Sequence, residues 1–242
     1  HHVWGWDKSR KGWWALVRSL RGYHFSRVVN MHRFASTGMM TWLLHADEKA
    51  GFDKNPVARL AYTHRLPHRI GRKGDATWLH EVERNLSLVA DLTGGGVEPP
   101  RLYPAPADWE AVAPLTTRRP YAVLAPASVW FTKQWPAERW VELVQALPPD
   151  WQVYLIGASG DAALCAHIAA ARAGAQVLAG KLSLLQSAAL MAGAAQVFCN
   201  DSGPLHLASA MGAPTTAFFC STVPEFGFGP LAPGARVLQA PE

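Results

Sequence analysis

The sequence has little cysteine, three residues in 242, and none of Cys165, Cys199 and Cys220 stands in a Cys-x-x-Cys pair. A disulfide framework or zinc ribbon is thereby excluded, and the apolar stretches around the three thiols mark them as reduced core residues. Charge is sparse too: 17% of residues are charged against 49% apolar, a balance that excludes intrinsic disorder and leaves enough apolar chain for one large or two modest cores. No apolar run reaches the roughly 18 residues that signal a membrane-spanning helix. The opening His1-His2-Val3-Trp4 lacks the basic, apolar, small-residue order of a signal peptide, so the expected location is cytoplasmic. There is no full Gly-x-Gly-x-x-Gly fingerprint, no Asp-x-Asp pair, no zinc-finger spacing and no RNP-like aromatic motif.

What charge there is lies unevenly. Residues 1–73 hold 14 Lys and Arg against 4 Asp and Glu, whereas the remainder holds 9 against 14. A basic front half suits nucleic acid, an anionic membrane face or a phosphorylated substrate, and it also suits a solvated surface with no partner.

The second half alternates short apolar runs with longer amphipathic ones, the grammar of a parallel sheet covered by helices. Strands are expected at Tyr121–Leu124, Trp151–Ile156, Gln176–Leu178, Gln196–Cys199 and Thr215–Phe219. Helices are expected at Pro136–Leu147, Asp161–Ala173, Ser183–Ala192 and Pro204–Met211, with Ser183 and Gln186 spaced as a capping box. The first half repeats the pattern more loosely, with a helix near Gly12–Leu20, a strand near Arg27–Met31 and a helix near Ser36–His45. The Pro-rich stretch Pro99–Pro114, followed by Thr116-Thr117-Arg118-Arg119-Pro120, has linker composition and puts a domain boundary near residue 118. Both ends look cut.

Two segments carry chemistry. Asn200-Asp201-Ser202-Gly203-Pro204-Leu205-His206 follows one expected strand and opens a helix, which puts Asp201 and Ser202 at the carboxyl end of a parallel strand. Ligands of such sheets bind there, and the free N–H groups of the next helix attract a diphosphate. Gly203 permits close backbone approach and Asp201 can accept from sugar hydroxyls. Asp-Ser-Gly is equally an ordinary helix cap, and His206 equally a core histidine. Ala125-Pro126-Ala127-Ser128-Val129-Trp130-Phe131-Thr132-Lys133-Gln134-Trp135-Pro136 has the same placement. Its hydroxyls, Ser128 and Thr132, and the ammonium of Lys133 suit nucleotide phosphates, with a plain surface lysine as the alternative. Gly157-Ala158-Ser159-Gly160-Asp161 is a weaker third piece.

Together with the closing Phe219-Cys220-Ser221-Thr222-Val223-Pro224-Glu225-Phe226-Gly227-Phe228-Gly229-Pro230 and the earlier Val29–Phe34 and His80–Asn85, these motifs resemble glycosyltransferase family 9, which contains the ADP-heptose:lipopolysaccharide heptosyltransferases. The resemblance implies an α/β chain of GT-B architecture with two Rossmann-like doubly wound domains. The first, residues 1–118, would be the acceptor-side domain, incomplete at its amino end. The second, 119–242, would bind the nucleotide sugar, with its carboxyl end truncated. The expected reaction is inverting transfer of heptose from ADP-heptose to the inner core of lipopolysaccharide; a nucleotide-sugar epimerase and a non-catalytic nucleotide-sugar-binding relative are the alternatives. By the resemblance Ser128, Thr132 and Lys133 face phosphate, Asp201, Ser202, Gly203 and His206 form the donor loop and helix start, Leu182 packs by the adenine, and Asp161 is the ribose candidate, with helix capping as its alternative. Arg33 and Ser36 are the acceptor-side candidates, since the core acceptor is anionic. The family's carboxylate base lies in an early loop that Asp7 does not match, so it is expected upstream of residue 1. No metal and no cofactor beyond the donor are expected, and the protein would be cytoplasmic, peripheral at the inner membrane, with no nucleic-acid partner.

Overall fold

A computed structural model describes residues 2–71, 78–117 and 120–239. The chain forms two compact units, residues 1–97 and 98–242.

The first unit runs α1 (Arg10–Arg21), β1 (His24–Asn30), α2 (Ala35–Leu43), β2 (His45–Phe52), α3 (Ala58–Ala61), β3 (His64–Leu66), α4 (Glu81–Ser87) and α5 (Ala90–Thr93). Its three strands pair in parallel in the order β1-β2-β3. α1 starts where the Ser9 hydroxyl accepts the Gly12 N–H at 2.9 Å, while Asp7 accepts the Ser9 N–H at 2.8 Å. Asp7 thus builds a helix start. The helix expected over Ser36–His45 stops at Leu43, and His45–Phe52 is a strand that the sequence pattern does not announce. Its front end, His-Ala-Asp-Glu-Lys, carries no apolar alternation because its side chains face water or partners: Glu48 pairs with Arg27, and only Ala50, Gly51 and Phe52 are buried.

The second unit runs α6 (Pro106–Thr116), β4 (Tyr121–Ala125), α7 (Ala137–Ala146), β5 (Gln152–Leu155), α8 (Ala162–Ala169), β6 (Gln176–Val177), α9 (Leu184–Ala192), β7 (Gln196–Asn200), α10 (Gly203–Ala210), β8 (Thr215–Phe219) and β9 (Arg236–Gln239). All six strands are parallel, in the order β6-β5-β4-β7-β8-β9. That is the doubly wound arrangement, in which strand order reverses between β4 and β7. Residues of β4 feed two cores in turn: Tyr121, Val123 and Ala125 pack with α9 and α10, while Ala122 and Leu124 pack with α7 and α8. The expected capping box is present, with Ser183 and Gln186 exchanging bonds of 3.1 and 2.9 Å. The helix expected from Asp161 is shorter, Ala162–Ala169, and follows a tight turn at Ser159–Asp161. Burial pushes the Cys165 thiol up to about 12, and it raises Cys199 and Cys220 as well.

The units divide between Val97 and Glu98, ahead of the boundary expected near residue 118. Part of the Pro-rich stretch is helical: Pro106 opens α6, and Asp108 caps it by accepting the Ala105 N–H at 2.9 Å. Val112 of this helix is buried in the core shared with α9.

A candidate nucleotide-sugar site

The loops that leave β4 and β7 meet at the point where the strand order reverses. Asn200, the last residue of β7, is fully buried. Its amide donates to the Pro126 carbonyl at 2.7 Å, and its side-chain oxygen accepts the Trp135 N–H at 3.0 Å, so one side chain spans both ends of the loop. Trp135 then stacks on Phe218 with centroids 4.1 Å apart, and Gln134 donates to the Ser128 carbonyl at 2.7 Å.

The next residue, Asp201, presents its Oδ2 to two donors. Lys133 Nζ lies 2.5 Å away and Thr222 Oγ1 donates from 2.7 Å. The carboxylate side chain is 7% exposed and the lysine side chain 26%, so the pair is a largely buried carboxylate held by a partly exposed lysine. Lys133 is therefore not a plain surface lysine. Ser202 takes the position before α10 in an extended conformation, with its hydroxyl donating to Asn200 O at 3.3 Å and not capping the helix. A Cβ on Gly203 would meet nothing within 4 Å, so the turn is open on that side. His206 is exposed, and its ring meets Phe228 edge to face at 6.3 Å. Ser128 is half-buried and Thr132 exposed on the same loop as Lys133.

A second cluster forms where the loops after β5 and β6 touch. Gly180 has φ +73°, and a Cβ there would come within 2.8 Å of Ser159 Cα; its N–H donates to Gly157 O at 2.9 Å. Leu182 packs half-buried on the core beside it. Asp161 turns back into its own loop, where its Oδ2 accepts the Ala158 N–H at 2.8 Å and closes the Ser159–Asp161 turn, with no side-chain bond capping α8.

In the first unit the loop after β1 is held by two asparagines. Asn30 accepts the His32 N–H at 2.9 Å, and Asn55 donates to His32 O at 3.2 Å and Phe34 O at 2.9 Å. Arg33, exposed on that loop, makes no ion pair among the described residues. Ser36 is exposed and its carbonyl accepts the Trp13 indole N–H at 3.1 Å. Nearby, buried His68 and Arg84 share Glu81, at 3.7 and 2.7 Å. Burial first, and the charge of Arg33 next, hold His68 below its ordinary pKa.

Of the motif residues the structure ties Lys133 to Asp201, and Asn200 and Thr222 join them without having been singled out, while Asp161 and Leu182 stand in the second cluster. Asn200 and Thr222 lie in the segments Asn200–His206 and Phe219–Pro230; what hid them is that their partners lie 65 and 21 residues away. Among the described residues no group of three metal-ligating side chains is assembled.

The family described as glycosyltransferase family 9 (heptosyltransferase) is matched over residues 13–242. Lipopolysaccharide heptosyltransferase 1 of Pseudomonas aeruginosa is 28% identical over 235 residues, covering 91% of this chain and 62% of its own. Lipopolysaccharide heptosyltransferase 2 of Escherichia coli is 28% identical over 206 residues, with 72% and 59% covered. The chain thus spans about three fifths of the length of the curated relatives it matches. Among solved structures, the family 9 glycosyl transferase of Veillonella parvula superposes with a TM-score of 0.80 at 21% identity, covering 98% of this chain and 69% of that one. The E. coli heptosyltransferase WaaC with ADP gives 0.72 at 26% identity, covering 99% and 74%.

Proposed function

The chain belongs to glycosyltransferase family 9, and from that premise we propose that it carries the donor side of an inverting transfer of heptose from ADP-heptose to the inner core of lipopolysaccharide. The observation that carries this is the meeting of Lys133 and Asp201 at the reversal of strand order, where doubly wound sheets take their ligands. Lys133, Ser128 and Thr132 face the diphosphate, with the first turn of α10 at Ser202 and Gly203 adding N–H groups and the positive end of a helix dipole. As ADP leaves, the charge that grows on its phosphate is met by the Lys133 ammonium, so no metal is required in this scheme. Asp201 and His206 border the donor sugar, Leu182 the adenine. Asp161, already bonded to Ala158, has one oxygen left for a ribose hydroxyl.

On the acceptor side, Arg33 and Ser36 offer a cation and a hydroxyl to an anionic core sugar. Inversion needs a carboxylate that takes the acceptor proton as the oxygen attacks from the face opposite ADP. Asp7 is spent on Ser9 and does not serve. A cytoplasmic enzyme working peripherally at the inner membrane fits such a substrate pair.

The test is incubation of the complete protein with ADP-heptose, with and without a deacylated core acceptor. Transfer only with acceptor is expected. Donor conversion without acceptor would make it an epimerase, and binding without turnover a non-catalytic relative. Lys133→Ala should weaken ADP binding by about 10- to 100-fold in a calorimetric titration, the worth of a charge-assisted bond; an unchanged affinity refutes the phosphate role.

A further inference from the structure

The first unit carries a positive face that the donor chemistry does not use. α1 buries Trp13 and Val17 and turns Arg10, Lys11, Trp14, Arg18 and Arg21 outward, all exposed. Spacings of three and four residues line up Lys11, Trp14, Arg18 and Arg21 on one stripe. Trp14, 58% exposed, stands between two open hollows, one walled by Arg10, Lys11 and Arg18 and the other by Arg18, Arg21 and His45. None of these four cations makes an ion pair among the described residues. The nearest acid in sequence, Asp7, is occupied by the N–H and hydroxyl of Ser9 at 2.8 and 3.0 Å. Just past the helix, Tyr23 meets Trp4 edge to face at 5.6 Å, both rings exposed.

We propose that this face of α1 docks on an anionic phospholipid bilayer. The four cations would meet headgroup phosphates, and Trp14 would enter the boundary between headgroups and acyl chains, with Trp4 and Tyr23 at the rim. Charge complementarity with a surface of fixed negative sign selects the bilayer, and so does the shape. A single indole raised among cations on a convex helix fits a plane, whereas single-stranded nucleic acid is held in a groove on successive stacking rings. The proposal rests on these charges and rings; it extends the transfer scheme only by giving a lipid-borne acceptor a surface on which to be met.

The test uses no donor or acceptor, so its failure leaves the transfer scheme standing. The full chain is sedimented with vesicles of mixed phosphatidylcholine and phosphatidylglycerol, and with vesicles of phosphatidylcholine alone. Binding is expected to the mixed vesicles only, and to weaken as salt is raised. Arg18→Gln with Arg21→Gln should cut partitioning about fivefold per residue, and Trp14→Ala should cut it further, with unfolding midpoints unchanged because all three side chains are exposed. Lys181→Gln with Arg236→Gln, the same loss of charge on the second unit, should leave it as in the wild type. The proposal is overturned if mixed vesicles fail to bind the protein, if the control pair loses as much as the α1 pair, or if the α1 variants lose affinity for mixed-sequence RNA while vesicle binding is untouched.

Discussion

The Asn200 side-chain oxygen accepts the backbone N–H of Trp135 at 3.0 Å across 65 residues of chain, and this bond sets where Lys133 stands. The loop between β4 and α7 has its Pro126 carbonyl and its Trp135 N–H tied to one buried amide, so the lysine between them sits on a spanned arch. Asn200→Ala leaves both backbone groups unpaired in the interior and is expected to cost about 2–4 kcal/mol of stability. Urea unfolding reads this directly. A loss under about 0.5 kcal/mol would mean that the Trp135–Phe218 stack and the Lys133–Asp201 pair hold the loop without Asn200.

Asp201 anchors Lys133 and Thr222 on one oxygen, and the same side chain borders the proposed sugar position. Asp201→Asn removes the counter-charge but leaves an amide oxygen for Thr222, so the ammonium is released toward the diphosphate. ADP affinity is expected to stay within about threefold while transfer falls about tenfold or more, the cost of a lost bond to a charged group. Parallel titrations with ADP and ADP-heptose separate the two; equal losses for both would place Asp201 away from the sugar. Thr222→Val should give a smaller fall in transfer of the same kind.

His68 predicts a pH dependence of the first unit. Burial and the positive charges of Arg33 and Arg84 depress its pKa below 6.5, with Glu81 opposing. The unfolded chain then takes up the proton first, so the stability His68 contributes is complete above pH 6.5 and is lost as pH falls toward the folded value. Thermal unfolding at pH 8 and pH 5.5 should show a drop in the wild type that is smaller in His68→Gln. Identical drops would assign the acid sensitivity to other groups.

The sequence revealed most where a residue's neighbours in space are also its neighbours in chain. The strands β4, β5, β7 and β8 are apolar runs because the sheet is covered on both faces, and the capping box that starts α9 is a local signal. β2 was invisible because its polar front end pairs with Arg27 or faces water, and β9, four residues with none buried, has no pattern to show. The loops of the candidate site were legible as motifs. The bond from Lys133 to Asp201, 68 residues on, was not, since no local period encodes a contact between two loops.

α6 gives the sharpest disagreement between sequence and structure, and it can be tested with two fragments. Prolines at 104, 106 and 114 make the stretch look like a linker, yet Pro106 occupies the first turn, where its missing N–H costs nothing. The helix lays Val112 and Leu115 on the core of β4, β5 and α9, and the Tyr154 hydroxyl donates to the Leu115 carbonyl at 2.6 Å. Full burial of Val112 contributes about 1.5–3 kcal/mol, the partly buried Leu115 less, and the hydrogen bond about 1, a sizeable share of a typical domain's stability. A fragment of residues 98–242 should therefore be soluble and unfold cooperatively. A fragment of 119–242 lacks the helix and uncovers the core face lined by Tyr121, Tyr154 and Leu190, so it should aggregate or melt well below the longer one. Matched expression, with circular dichroism melts of the soluble fractions, makes the comparison. If the two melt together, α6 is a passenger on the second unit and the boundary belongs near residue 118.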